Sequence, residues 1–267
     1  MRTTTAYAKM NLALHVRRRR NDGYHELETV FAFLDDGDRL SIAPAESFEF
    51  DDGGFFGGQA GPPEANLITR VALLVGQGTL PPVRVTLDKR LPVAAGLGGG
   101  SADAAATLRL LGASDRLDLA ALLGADVPAC MASIPVIGTG TGTILSPITN
   151  DVRGLACLIV NPMVPLPTGS VFDRWDGIDH GPISSGGARD IMLRGRNDLE
   201  QAAIALCPVI GEVLAALRET HPLIARMSGS GASCFALYEI YDDAAVHEKE
   251  LRERLPAHWW TMLGRLR

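Results

Sequence analysis

The sequence predicts an α+β chain of two domains, and three observations predict it. At 267 residues the chain suffices for one large domain or two of ordinary size. A glycine-rich stretch at 96–101 lies between a predicted strand and a predicted helix. Beyond residue 154 the pattern runs strand, helices, strand, helix, strand, as in a small α+β sandwich. The change of pattern near residue 150 divides the chain into 1–152 and 153–267.

Taken in order, Thr5 to Val16 alternates and reads as a strand. Lys9 and Asn11, two apart on it, share one face. They are either the polar side of an edge strand or a pair of donors aimed into a polar site. Asn21-Asp22-Gly23 is a turn. Tyr24 to Leu34 is an aromatic and β-branched strand, and Asp35 to Asp38 is predicted to close it. Short strands follow at Arg39–Ala43 and Phe48–Phe50, then a Gly/Pro-rich loop from Asp51 to Pro63. Asn66 opens a helix to Val75, and Val83 to Leu87 is a strand. Ser101 or Ala102 opens a helix to Leu111 with Asp103 in its first turn, and Leu117–Leu123 is another with Ser114 or Asp115 as its cap. Asp126, among small apolar residues before Val127-Pro128, is either a helix cap or a functional carboxylate. Gly138 to Gly142 reads as a turn. In the second half the predicted elements are a strand at Leu155–Val160, a proline loop to Gly169, a helix or turn through Phe172, and a loose segment at Gly177–Gly187. Helices then open at Asn197 and Pro208, and a glycine loop spans Arg226–Ser233. Cys234–Tyr238 is a strand, Asp242–Arg254 a helix and Trp259–Leu263 a last strand.

Composition excludes several classes. With 46% hydrophobic and 21% charged residues the chain can bury a real core. A net charge of −6 argues against a nucleic-acid surface. The basic run Arg17–Arg20 is either a solvated strand end or a local lure for an anionic substrate. The four cysteines form no C-x-x-C pair, so the expectation is reduced thiols in a cytoplasmic protein rather than a zinc site. The first sixteen residues lack a signal-peptide apolar region, and no stretch approaches a membrane span of about 18 apolar residues.

The glycine stretch carries the chemistry. Glycine admits φ > 0 and close approach of a ligand to the backbone. The helix that follows offers N–H groups without internal partners and the positive end of its dipole, a cradle for phosphate. A P-loop would need Gly-Lys-Ser/Thr, but Ser101-Ala102 follows Gly100. The dinucleotide fingerprint would need a third glycine where Ser101 stands. Protein-kinase motifs are missing.

The segment Pro92 to Ala104, with Gly96-Leu97-Gly98-Gly99-Gly100-Ser101-Ala102 at its centre, resembles the ATP loop of the GHMP kinases. Lys9-Met10-Asn11-Leu12, Asp22 to Leu27, Asn66-Leu67, Gly124 to Pro128, Asn197 to Glu200 and Met227 to Ala232 match in order, so the resemblance covers nearly the whole chain. It implies an N-terminal ATP-binding domain of ribosomal-protein-S5-domain-2-like fold and a smaller ferredoxin-like C-terminal sandwich. It also implies phosphorylation by ATP, with Mg2+, of the 2-hydroxyl of a methylerythritol linked through a diphosphate to cytidine, in isoprenoid precursor synthesis. By the same resemblance, Pro92 and Gly96–Ala102 hold the ATP phosphates and Asn66 lies near the nucleoside. Asp126 is the general base with Lys9 beside it, Asn11 meets the substrate, and Tyr24, His25, Phe31 and Phe172 form a cytidine pocket. No residue is assigned to the metal. The expected partner is this small molecule, with no nucleic acid or membrane, and the expected state is a monomer or homodimer. The Gly138–Gly142 turn departs from the charged residues found there in many relatives. A GHMP kinase acting on another alcohol, and a catalytically inert nucleotide-binding paralogue, stay open as alternatives.

Overall fold

A computed structural model describes residues 1–59 and 61–267; position 60, within the predicted Asp51–Pro63 loop, lies outside the described residues. The described chain divides into two compact units that interleave in sequence. The first comprises Met1–Lys9, Asp36–Val93 and Gly98–Ser133, and the second Met10–Asp35, Ala94–Leu97 and Ile134–Arg267. Two long strands, β1 (Arg2–Arg19) and β2 (His25–Pro44), each run from one unit into the other.

In the first unit, β2 pairs antiparallel with β4 (Val83–Asp88), Arg39 opposite Asp88 and Pro44 opposite Val83. On the other edge of β4, β3 (Glu49–Gly53) pairs in parallel. Four helices accompany these strands: α1 (Leu67–Val75), α2 (Gly99–Leu110), α3 (Leu117–Leu123) and α4 (Val127–Ala132). Between α1 and α4, α2 is packed on both sides and buries all of Ala102–Leu108. Its alanines suit that place, because small side chains let neighbouring helices approach while keeping high helix propensity.

In the second unit, β2 pairs antiparallel with β5 (Val136–Gly140), Phe31 opposite Val136, and β5 pairs with β6 (Ile144–Pro147). A second sheet has the order β10-β7-β9-β8 from β7 (Ala156–Asn161), β8 (Ile224–Met227), β9 (Cys234–Tyr238) and β10 (Trp260–Arg265), all antiparallel. β7 and β9 are buried throughout, which explains their unbroken apolar runs. The helices of this unit are α5 (Thr168–Asp173), α6 (Ala188–Arg194), α7 (Glu200–Leu206), α8 (Val209–Arg218) and α9 (Tyr241–Arg254). Leu158, Val160, Ile210, Leu214, Leu217 and Ala236 lie in the core they share.

Five local expectations are corrected. The acids at 35–38 do not end the strand, because their charges find partners: Asp38 Oδ2 lies 2.6 Å from Lys89 Nζ and Asp36 Oδ1 2.6 Å from Arg90 Nη1. Gly37 lets β2 continue, since a Cβ there would stand 2.0 Å from the Ala6 carbonyl oxygen. Helix α2 begins at Gly99 rather than at Ser101 or Ala102, which moves Asp103 out of the first turn. Helix α3 is not capped by Ser114 or Asp115; Arg116 holds the N-cap position and pairs with Asp118 at 2.7 Å. Gly138 lies within β5 rather than in a turn, because the Phe31 ring fills the place of its side chain, 2.7 Å from where a Cβ would be. Finally, α6 and β8 stand where no element was expected, β8 because Met227 finds a partner in Cys234.

Candidate functional site

In the first unit the chain brings together a lysine, a carboxylate and a helix start. β1 carries Lys9 into the interior, where Nζ lies 2.9 Å from Asp126 Oδ2. Asp126 holds the N-cap position of α4, yet its side chain makes no cap hydrogen bond there. Of the two readings left open by the sequence, the side chain does not act as a cap: the backbone starts a helix and the carboxylate turns to Lys9. That carboxylate keeps 31% of its side chain exposed, whereas Lys9 keeps 6%. A charge pair with one open face can still accept a proton from an incoming group.

Gly98 is the N-cap of α2 and has φ +62°. A Cβ there would lie 2.9 Å from Lys9 Cε, so glycine is needed for both conformation and space. The first helical bond runs from Ala102 N to Gly98 O, 2.8 Å. The N–H groups of Gly99, Gly100 and Ser101 therefore precede the helical ladder, as an anion cradle requires. Gly100 is exposed, and a Cβ on it would meet nothing nearer than Leu67 Cδ1 at 3.7 Å. Asn66 caps α1, its Oδ1 accepting from Ile68 N at 2.9 Å. Pro92 and Ala102 are buried.

Beneath that helix start lies a group for which the sequence had given no sign. Lys89 is buried with Nζ 2.6 Å from Asp38 Oδ2 and 2.7 Å from Asp103 Oδ2. Burial opposes the lysine charge, but Asp103 and Asp38 outweigh it and raise its pKa. Burial raises the Asp103 carboxyl to about 8 against the pull of Lys89.

In the second unit, Asn11 donates from Nδ2 to Thr29 Oγ1 at 2.7 Å, and Thr29 Oγ1 donates to Ala13 O at 2.7 Å. The chain of donors fixes which way the amide points. Ser228 Oγ accepts from Asn11 N at 3.3 Å and donates to Gly96 O at 2.9 Å. Gly96 has φ +75°, and a Cβ on it would stand 2.5 Å from Ser228 O; Leu97 after it is buried. The His25 ring lies 4.9 Å from Phe172 and 5.7 Å from Trp175, centroid to centroid. Burial and then Arg19 lower the His25 pKa, which favours a neutral ring carrying one donor and one acceptor. Tyr24 is 68% exposed, while Phe31 is buried under Gly138. Sequence reasoning missed Trp175, although it stands three residues after Phe172 and thus near it on a helical turn. The arginines of the basic run each face an acid: Arg17 Glu28, Arg18 Glu26, Arg19 Asp173 and Arg20 Asp22. That fits a neutralised strand end better than a bare positive patch. Among the described residues, no group of three or more His, Cys, Asp or Glu side chains is arranged to hold a metal.

The family model of the GHMP kinase N-terminal domain matches residues 66–133, and that of the GHMP kinase C-terminal domain matches 186–259. A 4-diphosphocytidyl-2-C-methyl-D-erythritol kinase of Novosphingobium aromaticivorans is 52% identical over 98% of this chain and 92% of its own. The enzyme of the same name from Erythrobacter litoralis is 51% identical over the whole of both chains. A crystal structure of 4-(cytidine 5'-diphospho)-2C-methyl-D-erythritol kinase superposes with a TM-score of 0.83 at 34% identity, covering 99% of each chain. A crystal structure of L. major mevalonate kinase, at 15% identity and a TM-score of 0.68 over 99% of this chain and 96% of its own, shares the fold. The chain belongs to the GHMP kinases and has their two-domain α+β fold.

Proposed function

We propose that this GHMP kinase transfers the γ-phosphoryl group of ATP to the 2-hydroxyl of 4-diphosphocytidyl-2-C-methyl-D-erythritol, a step of non-mevalonate isoprenoid precursor synthesis. The full-length identity to enzymes of that name supports the substrate. The contact of Lys9 with Asp126, beside the start of α2, supports the chemistry and is the observation that carries it.

An alcohol is a weak nucleophile at neutral pH. Asp126 accepts its proton as the oxygen attacks the γ-phosphorus and ADP departs; such a base contributes about 10²–10⁴-fold. Lys9 offers its ammonium to the oxygen that is losing that proton. The N–H groups of Gly99 to Ser101, with the dipole of α2, hold the phosphates, Gly96 and Leu97 lead the chain into them, and Pro92 and Ala102 flank that loop. Phosphoryl transfer rests mainly on such positioning and charge. Asn66 meets the nucleoside of ATP, and Asn11 the acceptor. Tyr24, His25, Phe31 and Phe172 serve the cytosine, with stacking worth about 1–3 kcal/mol per base. Phe31 acts from behind, as a wall rather than a stacking face, because it is buried.

Mg2+ enters with the nucleotide. It is usually held by substrate phosphates, water and one or two carboxylates. The partly exposed Asp126 is engaged by Lys9, so the nucleotide phosphates and water would be the main donors to the ion. Held so, Mg2+ would neutralise part of the phosphate charge. We assign the protein to the cytoplasm, as monomer or homodimer, with modules 1–152 and 153–267 and no nucleic-acid partner. No helix among the described residues is long and apolar enough to cross a membrane.

The test is ADP release from MgATP with the cytidyl alcohol, mevalonate, homoserine or no acceptor. Release with the cytidyl alcohol alone is expected. Release with another alcohol instead would overturn the acceptor and its aromatic site. No release with any of them would overturn the kinase reading.

A further inference from the structure

A triad of charges is buried behind the phosphate-binding turn, and burial of charge needs a reason. Taking ions out of water is costly, and buried ion pairs are often no more stabilising than apolar residues of the same volume. Lys89, Asp38 and Asp103 have side-chain exposures of 2%, 0% and 5%. Fold stability alone therefore accounts poorly for them.

Their connections converge on α2. Asp38 Oδ1 accepts from the backbone N–H of Arg90 at 2.6 Å and of Leu91 at 2.8 Å, on the segment that leads toward the glycine loop. Asp103 belongs to α2 itself, one turn beyond Gly99. The ammonium reaches the helix start: a Cβ on Gly99 would lie 3.1 Å from Lys89 Nζ and 3.6 Å from Asp38 Oδ2. Gly99 is helical and has no positive φ that would call for glycine. Glycine weakens a helix relative to alanine, so its use here follows from the close approach of Lys89. Asp103 Oδ1 is buried without a hydrogen-bond partner. That suits a carboxyl that keeps its proton, and its raised pKa agrees. With that proton the triad adds no net negative charge behind a turn that takes a polyphosphate.

We propose that Lys89 is a positioning residue for the nucleotide: clamped by Asp38 and Asp103, it sets the first turn of α2 so that the N–H groups of Gly99 to Ser101 meet the ATP phosphates. This rests on the nucleotide reading above. It adds a residue outside the phosphate-contacting loop on which that reading depends.

Two variants test it. Lys89→Met with Asp103→Asn removes the clamp yet leaves Asp38 its two backbone donors. Gly99→Ala keeps all three side chains and crowds the ammonium from the helix side. Each is checked for folding by circular dichroism and thermal melting, then titrated with MgATP by calorimetry and assayed for both KM values. The expected result is a folded protein whose Kd and KM for MgATP rise by about tenfold to a hundredfold, as for a small misplacement of binding groups. The acceptor KM should stay within about twofold, since no acceptor contact is touched. Unchanged MgATP affinity in either folded variant would overturn the proposal, as would an equal rise in both KM values. If the double variant fails to fold, Gly99→Ala decides alone. Failure of the wild type to bind MgATP would instead overturn the nucleotide reading, and the wild-type arm shows that separately.

Discussion

Two lysine–aspartate groups lie in the first unit, and they are built oppositely. Lys89 has the carboxyl groups of Asp38 and Asp103 within 2.7 Å and no open side. Lys9 has Asp126 at 2.9 Å, and that carboxylate is 31% exposed. A closed cluster holds backbone in place, because each charge is committed to a partner and loses heavily if it moves. A pair with one accessible oxygen can exchange a proton with something that arrives from outside. Each group also sits against its own glycine of the same loop: Gly98 makes room for Lys9 and Gly99 for Lys89. The roles proposed for the same two residue types, reaction in one place and geometry in the other, thus differ according to burial.

The sharpest break of this contrast is Asp126→Ala. It should lower kcat by about 10²–10⁴-fold while MgATP affinity, by calorimetry, holds. A variant that turns over normally would remove Asp126 from the chemistry.

A smaller effect comes from the closed cluster and concerns pH. The folded-state pKa of Asp103 lies near 8, above its unfolded value of 3.8. Between those values the folded protein holds a proton that the unfolded chain has lost. Asp103 therefore contributes stability that is full below about pH 4 and is lost as pH rises through about 8, with a slope on the order of 1 kcal/mol per pH unit. Lys89, raised above 10.5, stays charged across that window and adds no slope. Denaturant unfolding of wild type should weaken from pH 5 to 8 relative to Asp103→Asn. Parallel pH curves for the two would show that Asp103 is ionised in the fold.

The smallest expected effect separates the glycines by stability alone. Gly98→Ala faces both φ +62° and Lys9 Cε, and should cost about 1–2 kcal/mol for the left-handed backbone, more with the clash. Gly100→Ala meets only Leu67 at ordinary contact distance and should leave the melting temperature nearly unchanged. Equal losses at both positions would mean that space around Lys9 does not explain Gly98.

Much of this was legible in the residues. The alanine-rich run after Gly100, the Asn66 cap and the apolar runs of β7 and β9 are local signals, and the elements follow them. The catalytic candidates Lys9 and Asp126 were legible as polar residues in apolar surroundings. The acids at 35–38 misled because turn chemistry and buried pairing use the same residue types. Trp175 and Thr29 were missed because one aromatic beyond a helix and one threonine in a strand look ordinary until their neighbours are known.

By itself, then, the sequence determined most element types and marked the glycine loop and Asp126 as candidates for phosphate binding and proton transfer. These depend on local propensity and on motifs whose members are close in the chain. Tertiary structure alone decided which partner each charge has. Asp38 and Lys89 are 51 residues apart, and nothing in either neighbourhood announces the other. It also decided what a side chain at Gly99 would meet, because the atom that crowds that position belongs to Lys89, just beyond the end of β4. Burial, which separates a holding charge from a reacting one, is a property of the packed chain and of no segment within it.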